Sequence, residues 1–242
     1  MARSILITGT GTDVGKTALA LSVLCWAGRK GLKAAYHKPV QCGDFPFGNP
    51  PTPHSDADWI RALLPFPVEA HVTYRFPSPV SPHLASEREG VLIRSDRIFQ
   101  ELEVLGEERD LVVIEGAGGA AVPLDRHGLS MAMLAAEIGI PTLLACAPGL
   151  GTLHHTLATL AYLGAIDAPV AGFAFCHREP EVPEIFPDNL RTLSETTGLP
   201  CFGTVPYCRT LAQAGPLTGP EAAALADPLS PSLDAWWNAT TD

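Results

Sequence analysis

Gly15-Lys16-Thr17 follows a short apolar run, Ile5-Leu6-Ile7, and a turn rich in glycine and threonine, Thr8-Gly9-Thr10-Gly11-Thr12-Asp13-Val14. These residue types suit a phosphate ligand. The backbone N–H groups of such a turn, and of a helix opening at Lys16, can point at anionic oxygens. The Lys16 ammonium can bridge the β and γ oxygens, and the Thr17 hydroxyl can ligate Mg²⁺. The spacing is a variant one. In the common pattern G-x-x-x-x-G-K-S/T a glycine would stand at position 10, which is threonine here, so the glycine at or beyond that distance from Gly15 is Gly9, with five residues between.

Two further stretches carry charge at places where an α/β sheet would present it. Glu115 ends the apolar run Leu111-Val112-Val113-Ile114 and is followed by Gly116-Ala117-Gly118-Gly119. An acid at a strand's end, in the Walker B arrangement, reaches the magnesium of a bound nucleotide, and glycines after it let backbone approach the γ-phosphate. Lys38 follows a second strand-like run. In an open α/β sheet a lysine at a strand's carboxyl end points into the ligand crevice. Asp56 and Asp58, beside Ser55, stand at a helix start; spacing alone favours a capping role over metal binding for both.

The elements that must position these residues follow from hydrophobic periodicity and turn residues. After the first strand, the pattern predicts a helix over 16–29 closed by Gly31 and a strand over 33–37 that delivers 38–43 into a loop. A short helix to about 64 comes next. Prolines cluster at 45–53, 66–82 and 179–187, which read as loops, so Ser81-Pro82-His83-Leu84 is expected in a loop. Helices are expected over 94–107, 130–138, 153–163 and from Asp188 to about 197, and strands over 110–115, 142–147, 170–175 and 201–205. The tail beyond Pro220 reads as helical and peripheral. Alternating strands and helices predict an α/β fold of the P-loop NTPase kind: one domain over 1–242, with a mostly parallel sheet and helices on both faces.

Composition limits the partners. A net charge of −10 and the lack of any lysine- or arginine-rich run argue against a nucleic-acid or anionic-membrane surface. A strand within a few residues of the start leaves no room for a signal peptide, and no apolar run reaches membrane-spanning length, so a cytoplasmic protein is expected. The six cysteines form no C-x-x-C pair and read as free thiols. His154 and His155 are adjacent and would diverge by about 100° on a helix, so no zinc site is expected from them.

Six motifs in this order, Gly9 to Thr17 with its unusual glycine spacing, Lys38-Pro39-Val40, Ser55-Asp56-Ala57, Ser81-Pro82-His83, Glu115 to Gly119, and Leu150-Gly151-Thr152, resemble one family over nearly the whole chain. That family is dethiobiotin synthetase, the ATP-dependent carboxylase that closes the ureido ring in biotin synthesis. The resemblance implies that the substrate is 7,8-diaminononanoate, whose amine takes up CO₂ to give a carbamate. The carbamate oxygen attacks the γ-phosphate of ATP, and the second amine then displaces phosphate to close the ring. It further implies a nucleotide site at Asp13, Val14, Gly15, Lys16, Thr17, Ala18, Asp56, Glu115, Gly116, Ala117 and Gly118, with Cys176, His177, Pro206 and Tyr207 at the base. Mg²⁺ would be held by Thr17, Asp56 and Glu115. The catalytic set would be Thr12, Lys16 and Lys38, and the substrate would meet Thr12, Lys38, Cys42, Ser81 and Gly118. The family is similar in forming a homodimer with the site at the interface, where the substrate's distant carboxylate lies at a partner's helix N-terminus, here Leu150-Gly151-Thr152.

Three positions depart from the family pattern. Cys42 stands where serine is usual, Cys176-His177 replaces an asparagine followed by an acid, and His154 replaces an asparagine. These changes bear on substrate affinity and on the choice of base. A rival from another class is a switch ATPase of the MinD and ParA kind; such proteins carry an additional lysine early in the phosphate loop, and positions 9–14 contain none. An amide-forming ligase acting on a cobyrinate-like acid would need a glutamine-hydrolysing domain, for which 242 residues leave no space. A nucleotide-binding paralogue that no longer carboxylates also stays open.

Overall fold

The computed structural model describes residues 2–47, 52–213 and 215–240. Its strands are β1 (Arg3–Gly9), β2 (Ala34–Cys42), β3 (Phe45–Phe47), β4 (Thr52–His54), β5 (Glu69–Phe76), β6 (Leu111–Glu115), β7 (Thr142–Cys146), β8 (Val170–Cys176) and β9 (Cys201–Val205). The helices are α1 (Lys16–Arg29), α2 (Asp56–Leu63), α3 (Pro82–Glu89), α4 (Ser95–Gly106), α5 (Met131–Glu137), α6 (Thr152–Ala165), α7 (Phe186–Thr197), α8 (Arg209–Gln213), α9 (Gly219–Ala226) and α10 (Ser230–Ala239).

Seven strands form one all-parallel sheet in the order β5-β2-β6-β1-β7-β8-β9, while β3 and β4 pair as a small antiparallel ribbon. The central strands are apolar along their whole length because both faces are covered. On one face Ile5, Ile7, Val113 and Leu143 pack with Leu21 and Leu24 of α1, Ile60 of α2, Leu225 of α9 and Leu233 of α10. On the other, Leu6, Val112 and Ile114 meet Ile98 of α4 and Leu134 of α5, and Leu144 and Phe173 meet α7 through Leu193. β1 lies between β6 and β7, two strands that come more than 100 residues later in the chain. The strand order turns back on itself there, and the carboxyl ends of β1, β2 and β6 open onto the crevice that holds ligands in such sheets.

Several expected boundaries move. β2 runs on to Cys42, so Lys38 is inside a strand and not in the loop after it. Beyond His37 it pairs with β5 alone, and Pro39 is tolerated because one flank of the ladder is open there. β5 itself lies in the segment expected to be a proline-rich loop: its eight residues contain no proline, but Pro67 and Pro77 bracket them. Ser81-Pro82-His83-Leu84 likewise starts helix α3, with Ser81 at the N-cap and Pro82 in the first turn, where a missing N–H costs nothing. Asp188 is in the first turn of α7 and does not cap it; Ile185 holds the N-cap position.

The tail is helical but not peripheral. Leu225, Leu229 and Leu233 are fully buried or nearly so, and α9 and α10 close over α1. The Trp26 indole N–H donates to Asp234 Oδ1 at 2.8 Å, and the Arg3 guanidinium lies 4.0 Å from the centre of the Trp237 ring. The part of the 45–53 loop at residues 48–51 lies outside the described residues, as do residues 241–242 of the tail.

Candidate functional site

The phosphate-type loop joins β1 to α1. Gly15 adopts a left-handed backbone with φ 94°, and a Cβ there would stand 2.3 Å from Cys176 Cβ, so only glycine fits. The Lys16 ammonium is buried and donates to the Gly11 carbonyl at 2.8 Å. Burial lowers its pKa, the Lys38 charge adds to that, and Glu115 opposes it.

At the end of β6, Glu115 is buried and engaged at both oxygens. Oε1 accepts from Thr17 Oγ1 at 2.9 Å and from Lys38 Nζ at 2.6 Å, and Oε2 accepts from the Tyr36 hydroxyl at 2.8 Å. Lys38 Nζ also pairs with Asp56 Oδ2 at 2.7 Å. Burial alone would lower the Lys38 pKa, but the two carboxylates outweigh it and raise it above the ordinary value. The Tyr36 hydroxyl is pushed well above its ordinary value by burial first and by Glu115 second.

Asp56 is available because its neighbour does the capping. Ser55 and Asp58 form a capping box: Asp58 Oδ2 accepts from the Ser55 N–H at 2.9 Å, while the Asp58 N–H donates to Ser55 Oγ at 3.3 Å. The joint capping role expected for both aspartates therefore holds for Asp58 and not for Asp56. Gln41, buried near the end of β2, fixes the start of α2: its Oε1 accepts from the Asp56 N–H at 3.2 Å and its Nε2 donates to the Gly43 carbonyl at 2.7 Å.

Two carboxylates thus meet at the Lys38 ammonium, and the Thr17 hydroxyl joins them through Glu115 Oε1, so that three hard oxygens lie together. That donor set suits Mg²⁺, which takes one or two carboxylates and completes its shell with phosphate oxygens and water. Among the described residues no group of three or more His, Cys, Asp or Glu side chains is placed to hold a metal, zinc included.

These side chains edge a cavity of about 880 Å³. Of the residues singled out in the sequence, Thr12, Asp13, Gly15, Lys16, Thr17, Ala18, Lys38, Cys42, Asp56, Ser81, Glu115, Ala117, Gly118, His177, Pro206 and Tyr207 line it. Val14 and Gly116 do not, although the Gly116 carbonyl is 3.4 Å from Lys38 Nζ. Cys176 is buried behind Gly15, its thiol pKa raised by burial, and it does not line the cavity. His177 does line it: its N–H donates to the Val205 carbonyl at 3.0 Å, its ring stands edge-on to Phe186, and burial lowers its pKa. Leu150, Gly151 and Thr152 are at the start of α6 and outside the cavity lining; Leu150 is 96% exposed.

Tyr36, Gln41, Trp59 and Arg178 were not singled out in the sequence. Trp59 and Arg178 line the cavity, Gln41 both lines it and anchors Asp56, and Tyr36 touches Glu115. Two of them had a signal. Gln41 stands beside Cys42, and Arg178 directly follows Cys176-His177.

A parallel sheet with a glycine-rich loop feeding Lys16 and Thr17 at the start of α1, and with Glu115 at the end of the neighbouring strand, defines a nucleotide-binding protein of the P-loop class. The protein-family profile described as AAA domain matches residues 3–214. Curated ATP-dependent dethiobiotin synthetases are similar over most of their length: the one from Halalkalibacterium halodurans is 36% identical over 206 residues, 85% of each chain. The one from Anaeromyxobacter dehalogenans strain 2CP-C is 33% identical over 224 residues, 92% of this chain and 98% of that relative. The chain belongs to the ATP-dependent dethiobiotin synthetase family.

Solved structures share the fold at lower identity. The septum site-determining protein MinD of Pyrococcus horikoshii, complexed with Mg-ADP, superposes with a TM-score of 0.60 at 14% identity, covering 100% of this chain and 98% of that one. A ParA family ATPase of Chlorobium tepidum gives 0.59 at 14% identity, covering 98% of each.

Proposed function

We propose that this chain makes dethiobiotin from 7,8-diaminononanoate, CO₂ and ATP, releasing ADP and phosphate as a step of biotin biosynthesis. The observation that carries the reading is the meeting of Lys16, Lys38, Thr17, Asp56 and Glu115 along one cavity, in a chain whose relatives are ATP-dependent dethiobiotin synthetases.

The chemistry has to bring a carbamate against a triphosphate, two anions, so fixed positive charge must meet both. Lys16 serves the β and γ oxygens from within the loop, and the loop's backbone N–H groups cradle the phosphates with Asp13 to Ala18 around them. Lys38 is held protonated by Asp56 and Glu115 and supplies charge where the carbamate oxygen attacks the γ-phosphorus. Thr12, Cys42, Ser81 and Gly118 border the diamine. Mg²⁺, carried by Thr17, Asp56 and Glu115, would neutralise charge on the phosphate oxygens. Ala117 and Gly118 give backbone contact to the γ-phosphate, while His177, Pro206 and Tyr207 border the base. Cys176, packed behind Gly15, shapes the loop and does not read the base.

The same reading makes the protein a homodimer. Leu150, apolar and exposed at the start of α6, lies outside this cavity, and a second subunit's Leu150-Gly151-Thr152 would bring helix N–H groups to the far carboxylate of the diamine. The charge of −10 supports a cytoplasmic enzyme with no nucleic-acid or membrane partner; among the described residues no helix is long and apolar enough to cross a membrane.

The test is phosphate release from ATP, Mg²⁺ and bicarbonate with and without the diamine, repeated with CTP and GTP. Release that depends on the diamine, with dethiobiotin identified by mass, is expected. Release indifferent to the diamine would point to a switch ATPase, and none at all to a paralogue that only binds nucleotide.

A further inference from the structure

Tyr36 is fully buried on β2 among the apolar side chains that cover one face of the sheet. Its register partner on β6 is Val113, so Glu115 stands two residues further along the neighbouring strand. Two residues of strand span about 6.6 Å, and side chains two apart share a face. A tyrosine is long enough to close that gap: its hydroxyl donates to Glu115 Oε2 at 2.8 Å. A phenylalanine would fill the same space without the donor.

The consequence falls on the other oxygen. With Oε2 occupied by Tyr36, Oε1 is turned to the cavity side, where Thr17 Oγ1 and Lys38 Nζ donate to it. Glu115 thereby presents one oxygen and has its rotation blocked from within the core. The hydroxyl stays protonated, since burial and the neighbouring carboxylate both oppose its ionisation.

We propose that Tyr36 is a positioning residue that acts through Glu115, locking the carboxylate so that Oε1 faces the divalent cation of the bound nucleotide. The inference rests on the reading of this cavity as a Mg-nucleotide site and deepens it. Hydrogen-bond partners of a metal-bound carboxylate are worth about 10- to 100-fold in metal affinity.

Mn²⁺ binding to the full chain with a non-hydrolysable ATP analogue, followed by the electron paramagnetic resonance of free Mn²⁺, tests this without turnover. Tyr36→Phe keeps the ring and the core volume. The Mn²⁺ Kd is expected to rise about tenfold, with the metal-free affinity for the analogue unchanged. Val113→Ala, which loosens the same face without touching the carboxylate, is expected to lower stability and leave the Mn²⁺ Kd alone. An unchanged Kd in Tyr36→Phe, a parallel loss of metal-free nucleotide affinity, or an equal Kd change in Val113→Ala overturns the role of Tyr36. Failure of the unsubstituted protein to bind Mn²⁺ with the analogue would instead overturn the reading of the site, and this inference with it.

Discussion

Lys38 is the side chain through which the two halves of the site meet, since its ammonium contacts both Asp56 and Glu115. In the proposed reaction its charge serves the transferring group, and Lys16 with the loop holds the nucleotide. Lys38→Ala is therefore expected to lower kcat by about 10²- to 10³-fold while the Kd for an ATP analogue moves by no more than about threefold; equal losses in both would contradict that division. Cys42 lines the cavity with a thiol whose pKa burial pushes up to about 11, against an opposing effect of Lys38. It is thus a protonated, weak donor near pH 7. Cys42→Ser is expected to hold or lower KM for the diamine, and a large loss of activity would reveal a task that only sulfur performs. Lys16, Thr17, Lys38 and Glu115 were legible in the sequence because each follows a glycine turn or an apolar run that fixes where it points. Spacing alone did not separate Asp56 from Asp58, since both sit in one helical turn; the family resemblance picked out Asp56, and the closed capping box shows that Asp58 is the one spent. Tyr36 was invisible: its role depends on the register between β2 and β6, which no local pattern encodes.

Among the elements, β2 carries the most. One face presents Tyr36 and Lys38 to the site, and the strand also buries His37, whose Nε2 is 2.7 Å from Thr73 Oγ1 and whose Nδ1 has no partner among the described residues. Burial, and secondarily the charge of His71, lowers its pKa to about 3. In the unfolded chain His37 takes up a proton below about pH 6.5, whereas the folded chain resists until about 3. Its contribution is present above the unfolded value and is lost as pH falls through that window, at up to about 1.4 kcal/mol per pH unit. Urea unfolding at pH 7 and pH 5 should show a smaller acid loss in His37→Gln than in the unsubstituted protein, and equal losses would refute it. The strands and helices from α4 to β9 were legible within a residue or two, because their apolar periodicity is unbroken. β5 and α3 were not. Prolines at 67, 77, 79 and 82 flank or open them, and a proline before an element reads in sequence like one within it.

On the scale of the whole molecule, the carboxyl-terminal helices are part of the core. Leu233 is fully buried in the cluster that also holds Leu24 and Trp26 of α1. Leu233→Ala is expected to cost about 2–5 kcal/mol in urea unfolding, and a loss under about 0.5 kcal/mol, usual for surface positions, would return the tail to the periphery. The sequence offered no sign of this burial, since α9 and α10 have the small-residue, partly apolar composition of many surface helices. The strand order has a further consequence, one of time. β1, which leads into the nucleotide loop, pairs with Leu111–Glu115 and Thr142–Cys146, and Gly219–Ala226 and Ser230–Ala239 pack over α1 together with α2. Within this chain the loop is therefore made well before the strands and helices that complete it. The motif is made long before the residues that wall its cavity, which extend to Leu211, and ATP can stabilise the fold only once those have emerged.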